Sequence, residues 1–444
     1  MAGRNNKELS GEALANRLIL RKLMPLLVVV YIVSFLDRTN IALARHSMSI
    51  DLGLSAMTYG LGAGLFFLTY SLAEVPSNLI MLKVGARRWI TRIMITWGAL
   101  SVGMAFVRGE TSFYVMRLLL GLAEAGLYPG VMLYLTYWFG HKQRAKATGY
   151  FLLGVSIANV FGGPFGGALL ELEGLAGLHG WQWLFIVEGI PAIALSFFVW
   201  KYLPDRPSAA RWLSPEESLA LEEKLVAERS EIPTAHGKDA ILQCIKDSQL
   251  WLAILIYFCH QLTTYAVIFF LPSIIGAAGN FSPFYIGVLS AVPWIASGIG
   301  GVIFPRFATG ASRSRKVLSG GLLTMGVGLL IAGRVTPILG LAALTLAASM
   351  FFVVQSVLFT IPASRFSGTV LAGALAFMNS CGLLGGFLGP AGMGFIEKTT
   401  GSSVGGFFIL GLALVGVALL SLRIRFSDSG ARAASEKVIG PEAV

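Results

Sequence analysis

Twelve apolar runs organise the chain, each roughly 20 residues or longer and each bounded by charge or by Gly/Pro punctuation. They cover 23–45, 58–82, 89–107, 113–138, 144–170, 182–203, 250–276, 284–305, 316–333, 337–360, 369–397 and 402–425. The pattern predicts an all-α integral membrane protein with twelve transmembrane helices. One polar stretch among them is long, residues 204–249, and it divides the spans six and six. The expected organisation is a tail 1–22, a six-helix bundle 23–203, a linker 204–249, a second six-helix bundle 250–425 and a tail 426–444. Within the linker, "SPEESLALEEKLVAERSE" starts with Ser214 as N-cap, Pro215 at the first helical position and Glu217 closing a capping box. It reads as a solvated, charge-laced helix.

The two halves repeat. The fifth span carries "NVFGGPFGGAL" and the eleventh carries "GGFLGPAGMGF". Superposing Gly163-Pro164 on Gly389-Pro390 also brings the start of the first span onto the start of the seventh. Two parallel repeats with a substrate site between them are a recurrent transporter architecture. Gly/Pro runs within spans also allow close packing and bending.

Composition agrees with the pattern. Of the 444 residues, 55% are hydrophobic and 13% charged, and the mean hydropathy is +0.73. The net charge of +11 marks loops kept in the cytoplasm rather than a nucleic-acid surface. Basic residues gather in the first tail and in the turns around Lys83–Arg92, His141–Lys146, Arg306–Lys316 and Arg423–Arg432. Alternate turns hold few, chiefly Arg45, Arg108, Arg334 and Lys398. Both termini are therefore expected in the cytoplasm. The start of the chain, polar and without a small-residue cleavage signal, reads as a cytoplasmic tail. Cys244, Cys259 and Cys381 suggest neither a disulfide framework nor a metal site.

Against this apolar background the charges within spans stand out: Asp37, Arg38, Glu74, Arg117, Glu124 and Glu188, all in the first half. Each charge at mid-bilayer costs about 2.5–3.5 kcal/mol on insertion scales, so such residues face a cavity or a partner. Tyr31, Ser34, Arg38 and Arg45 share a stripe on the first span, as do Tyr70, Glu74 and Ser77 on the second. On the fourth, Arg117, Glu124 and Tyr128 fall on one face, and Ser156 and Asn159 add a weaker stripe on the fifth. The second half offers neutral polar groups instead: His260, Gln261, Thr264, Tyr265, Gln355, Asn379 and Ser380. Asp37 and Arg38 point about 100° apart on a helix and reach separate partners more readily than each other, although mutual neutralisation within the bundle stays open.

"SFLDRTNIALA", "AEVPSNLIMLKVGARRWITRIMITWG", "RLLLGLAEAGLYPGV" and "WQWLFIVEGIPAI" together resemble the anion:cation symporter family of the major facilitator superfamily. The resemblance covers most of the chain. It implies the major facilitator fold, alternating access, and proton-coupled uptake of small organic anions such as sugar acids, tartrate or aromatic acids. By position it implies substrate-binding roles for Arg38, Arg117 and Tyr70, with Gln261 and Asn379 from the second half. It implies proton coupling through Asp37 and Glu124. No cofactor beyond the coupling proton, no nucleic acid and a functional monomer are expected, in a bacterial inner membrane. The family's usual acid in the loop after the second span is replaced by Leu82, and "GVIFPRFATGASRSRK" likewise lacks it. Lys83, Arg87 and Arg88 remain there and could hold helix C-termini.

The residues support that implication on physical grounds. A guanidinium fixes a carboxylate bidentately and keeps its charge. Empty, it needs acids nearby. When the anion arrives those acids become surplus negative charge, so anion and proton binding favour one another. Importing one negative charge against 100 mV, inside negative, costs about 2.3 kcal/mol, which one proton removes. Exchange or export of organic anions stays open, because Gly163 to Gly167 loosely resembles an antiporter signature. A receptor would need a larger signalling domain. An enzyme would need a metal cluster or nucleophile–base set, and the five histidines are scattered. The absence of a phosphate-binding loop argues against ATP-driven transport.

Overall fold

The structure is a computed structural model that describes residues 2–230, 244–308, 310–366 and 368–426. Part of the expected linker, 231–243, and the expected tail beyond 426 lie outside the described residues. The described residues are helical, without strands. In chain order the helices are α1 (Ala2–Leu52), α2 (Ala56–Val84), α3 (Ala86–Met104), α4 (Glu110–Glu124), α5 (Leu127–Leu135), α6 (His141–Leu170), α7 (Gly180–Tyr202) and α8 (Pro215–Ser230). They continue as α9 (Ser248–Gly276), α10 (Pro283–Ile303), α11 (Ala311–Ala332), α12 (Pro337–Ala348), α13 (Phe351–Leu358), α14 (Thr360–Ala363), α15 (Gly368–Thr400) and α16 (Val404–Ser421).

Among the described residues, 11 helical segments are long and apolar enough to cross a membrane. The expected third span, α3, falls outside that measure because Arg87, Arg88 and Arg92 occupy its first two turns. Two spans are interrupted. Glu110–Leu135 consists of α4 and α5, and Pro337–Ala363 of α12, α13 and α14. The linker helix is built as its sequence predicts. Ser214 N donates to the Glu217 carboxylate at 2.9 Å, and Glu217 N donates back to Ser214 Oγ at 3.1 Å.

Two compact units divide the chain. The first comprises Met1–Gly53 and Leu68–Glu231, and the second comprises Leu54–Phe67 with Ile232–Val444. In the first, α6 packs along α1 and α7 along α3. In the second, α15 packs along α9 and α16 along α11. The pairing pattern is the same, and so is one detail of it. Gly98 and Gly189 meet where α3 crosses α7, and a Cβ on either would come within 2.9 Å of the other's carbonyl oxygen. Gly326 and Gly411 meet in the same way where α11 crosses α16, at 3.0 and 2.8 Å.

The break in the fourth span has a local cause. Pro129 has no N–H to give the Ala125 carbonyl, so the intrahelical ladder cannot close there. Ala125 leaves helical geometry, and Gly126 adopts φ 93°, in the left-handed region. Ser77 Oγ supplies the missing donor to Ala125 O at 2.7 Å. A Cβ at Gly126 would strike that same serine. Gly126→Ala is therefore expected to destabilise the protein by about 1–3 kcal/mol, from backbone strain and loss of the serine contact. Thermal unfolding in detergent measures it. An unchanged midpoint would show that the break is not held in this way.

A titratable clasp joins the end of α1 to the turn before α7. His179 Nδ1 meets Glu173 Oε1 at 2.6 Å, and Nε2 meets Asp51 Oδ1 at 3.2 Å. Trp181 Nε1 donates to the other Asp51 oxygen at 3.1 Å. The hydrogen bond to Glu173, helped by the charge of Asp51, raises the His179 pKa above its ordinary value. The Gly180 backbone N–H and the His179 ring hold Glu173 below its own. The histidine's contribution is complete below its ordinary pKa of 6.5 and is lost as pH rises through the raised value. The carboxylate's contribution is complete above 4.5 and is lost as pH falls through the lowered value. The clasp is thus strongest between those two ordinary values. Pairs this exposed are worth at most about 1 kcal/mol. His179→Gln should therefore lower the unfolding midpoint slightly at mildly acidic pH and leave it unchanged at alkaline pH. A difference that grows with pH would contradict the assignment.

Candidate functional site

The first unit gathers most of the polar stripes that the sequence marks. On α1, Ser34 and Arg38 lie one turn apart and share one partner on α4. Ser34 Oγ donates to Glu124 Oε1 at 2.7 Å, and Arg38 Nη2 forms an ion pair with the same oxygen. Tyr70 of α2 offers its ring face to the Arg38 guanidinium, 5.0 Å from ring centre to the central carbon, and Phe35 does so at 5.5 Å. Glu124 is fully buried, and its Oε2 has no hydrogen-bond partner among the described residues. The site therefore combines a cation, a carboxylate bound through one oxygen and a free oxygen on that carboxylate.

Arg117 is 1% exposed and lies on α4 two turns before Glu124. Tyr128, expected on the same face, lies in α5 beyond the break in that span. It stacks on Tyr31 at 6.0 Å, and Tyr31 stacks on Phe151 of α6 at 4.1 Å.

Asp37 is held apart from that pair. It turns toward α3, where Trp97 Nε1 donates to Oδ2 at 3.0 Å and Ser101 Oγ donates to Oδ1. Asn40 Nδ2 approaches the same Oδ1 at 3.4 Å. Asp37 and Arg38 thus reach separate partners, so mutual neutralisation does not explain them. The sequence reading missed Trp97, Ser101 and Asn40 as members of this group. The available signal was the spacing of Trp97 and Ser101, one turn apart on an apolar span, each with a hydrogen to donate.

The basic turn after α2 has a partner that the reading also missed. Asp205, just after α7, accepts from the Arg87 backbone N–H at 2.8 Å, with the Arg87 guanidinium 4.0 Å away. An acid from the far end of the first unit thus serves the start of α3, where Leu82 offers none. Glu188 is buried within the first unit, with Gly166 of α6 close to its carboxyl.

In the second unit, Gln261 and Asn379 are linked through an aromatic pair. His260 stacks on Tyr257 at 6.1 Å, and its Nδ1 meets Gln261 Oε1 at 3.2 Å. Tyr257 Oη donates to Asn379 Oδ1 at 3.4 Å. The other His260 nitrogen, Nε2, lies 3.0 Å from the Phe351 carbonyl, where α13 begins after the break in the tenth span. A histidine between a carbonyl oxygen and an amide is a hydrogen-bond organiser. Among the described residues no group of three or more His, Cys, Asp or Glu is arranged to hold a metal ion.

Apolar helices that bury an arginine–acid pair define a membrane protein with charge held inside its spans, and the comparisons name its class. Residues 27–390 match the Major Facilitator Superfamily, and the chain belongs to that family. It is 40% identical over 418 residues to a protein named as a putative tartrate transporter of Agrobacterium vitis, covering 94% of this chain and 92% of that one. It is 39% identical over 402 residues to a quinolone resistance transporter of Acinetobacter baumannii, covering 90% and 92%. The fold matches the crystal structure of a D-xylose-proton symporter with a TM-score of 0.75 at 14% identity, covering 93% of this chain and 99% of that one. The chain is a multi-pass membrane transporter and not an enzyme.

Proposed function

We propose that this transporter couples protons to the import of a small organic carboxylate by alternating access, in a bacterial inner membrane with both termini cytoplasmic. The observation that carries the reading is the buried Arg38–Glu124 pair, with Ser34 on the same Glu124 oxygen. An incoming carboxylate takes the guanidinium as a bidentate partner. Glu124 then loses its counter-ion in a dry environment, where an uncompensated carboxylate is strongly disfavoured, and it accepts a proton. Anion and proton stabilise one another's binding, which is the thermodynamic requirement for symport. Arg117 adds positive charge from α4, Tyr70 orients Arg38, and Asp37 is a second proton-linked acid. Gln261 and Asn379 contribute neutral hydrogen bonds from the second half and so favour the hydroxyls of a hydroxy acid. The likeness to a putative tartrate transporter supports that substrate class.

The test is uptake into liposomes containing the purified protein, with the outside acidic. A panel of tartrate, sugar acids and aromatic acids should yield one that accumulates and does so faster with the gradient. Uptake indifferent to the gradient would overturn proton coupling. A second reading, exchange or export of an organic anion, is favoured by the likeness to a quinolone resistance transporter. It predicts counterflow without accumulation.

A further inference from the structure

His260 is a buried imidazole for which the transport cycle just described has no use. It lies on α9 next to Gln261 and is 1% exposed. Two aromatic rings hold it. Tyr257 lies nearly parallel to it at 6.1 Å between centroids, and Phe351 stands nearly at right angles at 6.2 Å. With the ring fixed, each nitrogen has a set partner. Nε2 is 3.0 Å from the Phe351 carbonyl oxygen, and Nδ1 is 3.2 Å from the Gln261 amide at Oε1.

These two contacts constrain one another. A carbonyl oxygen can only accept, and a neutral imidazole carries one hydrogen. A hydrogen on Nε2 satisfies Phe351 and leaves the Nδ1 lone pair facing an oxygen. A hydrogen on Nδ1 moves the same conflict to Phe351. Two hydrogens would satisfy both oxygens, but the imidazolium would be a buried charge without an acid beside it, which is strongly disfavoured. Residues 250–425 contain one acid, Glu397. A Cβ on Gly389 of α15 would strike the Leu262 carbonyl, which fixes the level of α15 beside this part of α9. Glu397 lies eight residues beyond Gly389, about 12 Å further along the helix. Asp247, thirteen residues before His260, caps α9 and pairs with Arg365. The ring is therefore neutral. The Phe351 carbonyl is held by the backbone of α13, whereas the Gln261 amide can make half a turn about its last bond and exchange oxygen and nitrogen in place. One arrangement then makes every contact: Nε2–H donates to Phe351 O, and the Gln261 amide nitrogen donates to Nδ1.

We propose that His260 is a positioning residue that sets the sense of the Gln261 amide. By taking an N–H, it turns the Gln261 carbonyl oxygen away from itself and leaves it as an acceptor for substrate. The oxygen selects a group that donates, such as a hydroxyl, and disfavours a carboxylate oxygen, which only accepts. This rests on the reading given above, in which Gln261 meets a hydroxy acid.

The nitrogen-15 spectrum of histidine-labelled protein reads the arrangement directly, with the His260 signals identified by their loss in His260→Phe. A neutral ring with its hydrogen on Nε2 is expected. An imidazolium, or a hydrogen on Nδ1, overturns the proposal. Binding reads the consequence. Affinities for tartrate and gluconate are compared with those for succinate and hexanoate, the same acids without their hydroxyls. His260→Phe keeps a ring but loses both nitrogens, and it should cut the preference for the hydroxy acids about fivefold, the worth of one neutral hydrogen bond. In a Gln261→Ala background it should cut that preference no further, because the two residues act in series. Equal weakening of all four acids by His260→Phe, or a further loss of preference when Gln261 is absent, refutes the proposal by giving His260 a role that does not pass through Gln261. If wild type binds the hydroxy acids no better than their counterparts, the hydroxy-acid reading fails first and this one falls with it, whatever the spectrum shows.

Discussion

Arg38→Ala is expected to abolish substrate binding and transport. The guanidinium is tied to Glu124 and set over the rings of Tyr70 and Phe35. Hydrogen bonds to charged groups are worth about 1.5–3 kcal/mol each, so losing a bidentate contact costs about two orders of magnitude or more in affinity. The same change strands Glu124, which is fully buried, and breaking a buried pair from one side costs about 3–5 kcal/mol of stability. Arg38→Lys separates the two effects. Lysine keeps a charge near Glu124 but offers a point contact instead of a fork. It should fold like wild type and still bind the transported acid at least about tenfold more weakly. Binding by scintillation proximity, with thermal unfolding alongside, measures both quantities. Wild-type affinity in Arg38→Lys would move the anion site elsewhere.

Glu124→Gln is expected to sever coupling while sparing the helix. Glutamine keeps an oxygen for Ser34 and for Arg38, so the contacts of Oε1 survive. What it lacks is a titratable group when the anion takes Arg38. Accumulation against a gradient should disappear, and exchange of internal for external acid should persist. Binding should lose its dependence on pH over the range in which wild type shows it. Because the amide no longer offsets the guanidinium, empty Arg38 is left more positive, and affinity at neutral pH should rise rather than fall. Proton-driven accumulation in Glu124→Gln would make another acid the coupling site, with Asp37 the next to test.

The sequence carried the fold, and placed several of the candidate residues that the structure brings together, for identifiable reasons. Spans of about 20 apolar residues are dictated by bilayer thickness, so their number and spacing are legible from hydropathy alone. The matched Gly-Pro runs of spans five and eleven fall in α6 and α15, the helices that pack along α1 and α9. Arg38, Glu124 and Ser34 were legible as polar positions on helical stripes, and the structure joins them. The break after Glu124 was harder to read. Its cause is written in "EAGLYPG", but Pro129 removes a donor from a carbonyl four residues earlier, and the rescue comes from Ser77 on another helix. The partners of Asp37 were harder still. Nothing in α3 considered alone says that Trp97 and Ser101 turn toward α1, because that depends on the close crossing of α3 and α7 at Gly98 and Gly189. Asp205 was hidden for a related reason: its contact spans 118 positions of the chain and serves a backbone N–H. The charge pattern of the Arg87 turn therefore gives no hint of it.

The central claim is that anion binding to Arg38 makes Glu124 take up a proton. The most direct measurement follows protons during binding alone, with no membrane and no transport. Purified protein in a weakly buffered detergent solution with a pH-sensitive dye receives a saturating dose of the acid identified by uptake. The account predicts that the solution becomes more alkaline by up to about one proton per anion bound, with the effect absent in Glu124→Gln. Saturable binding with no proton uptake in wild type, or equal uptake in Glu124→Gln, would contradict it.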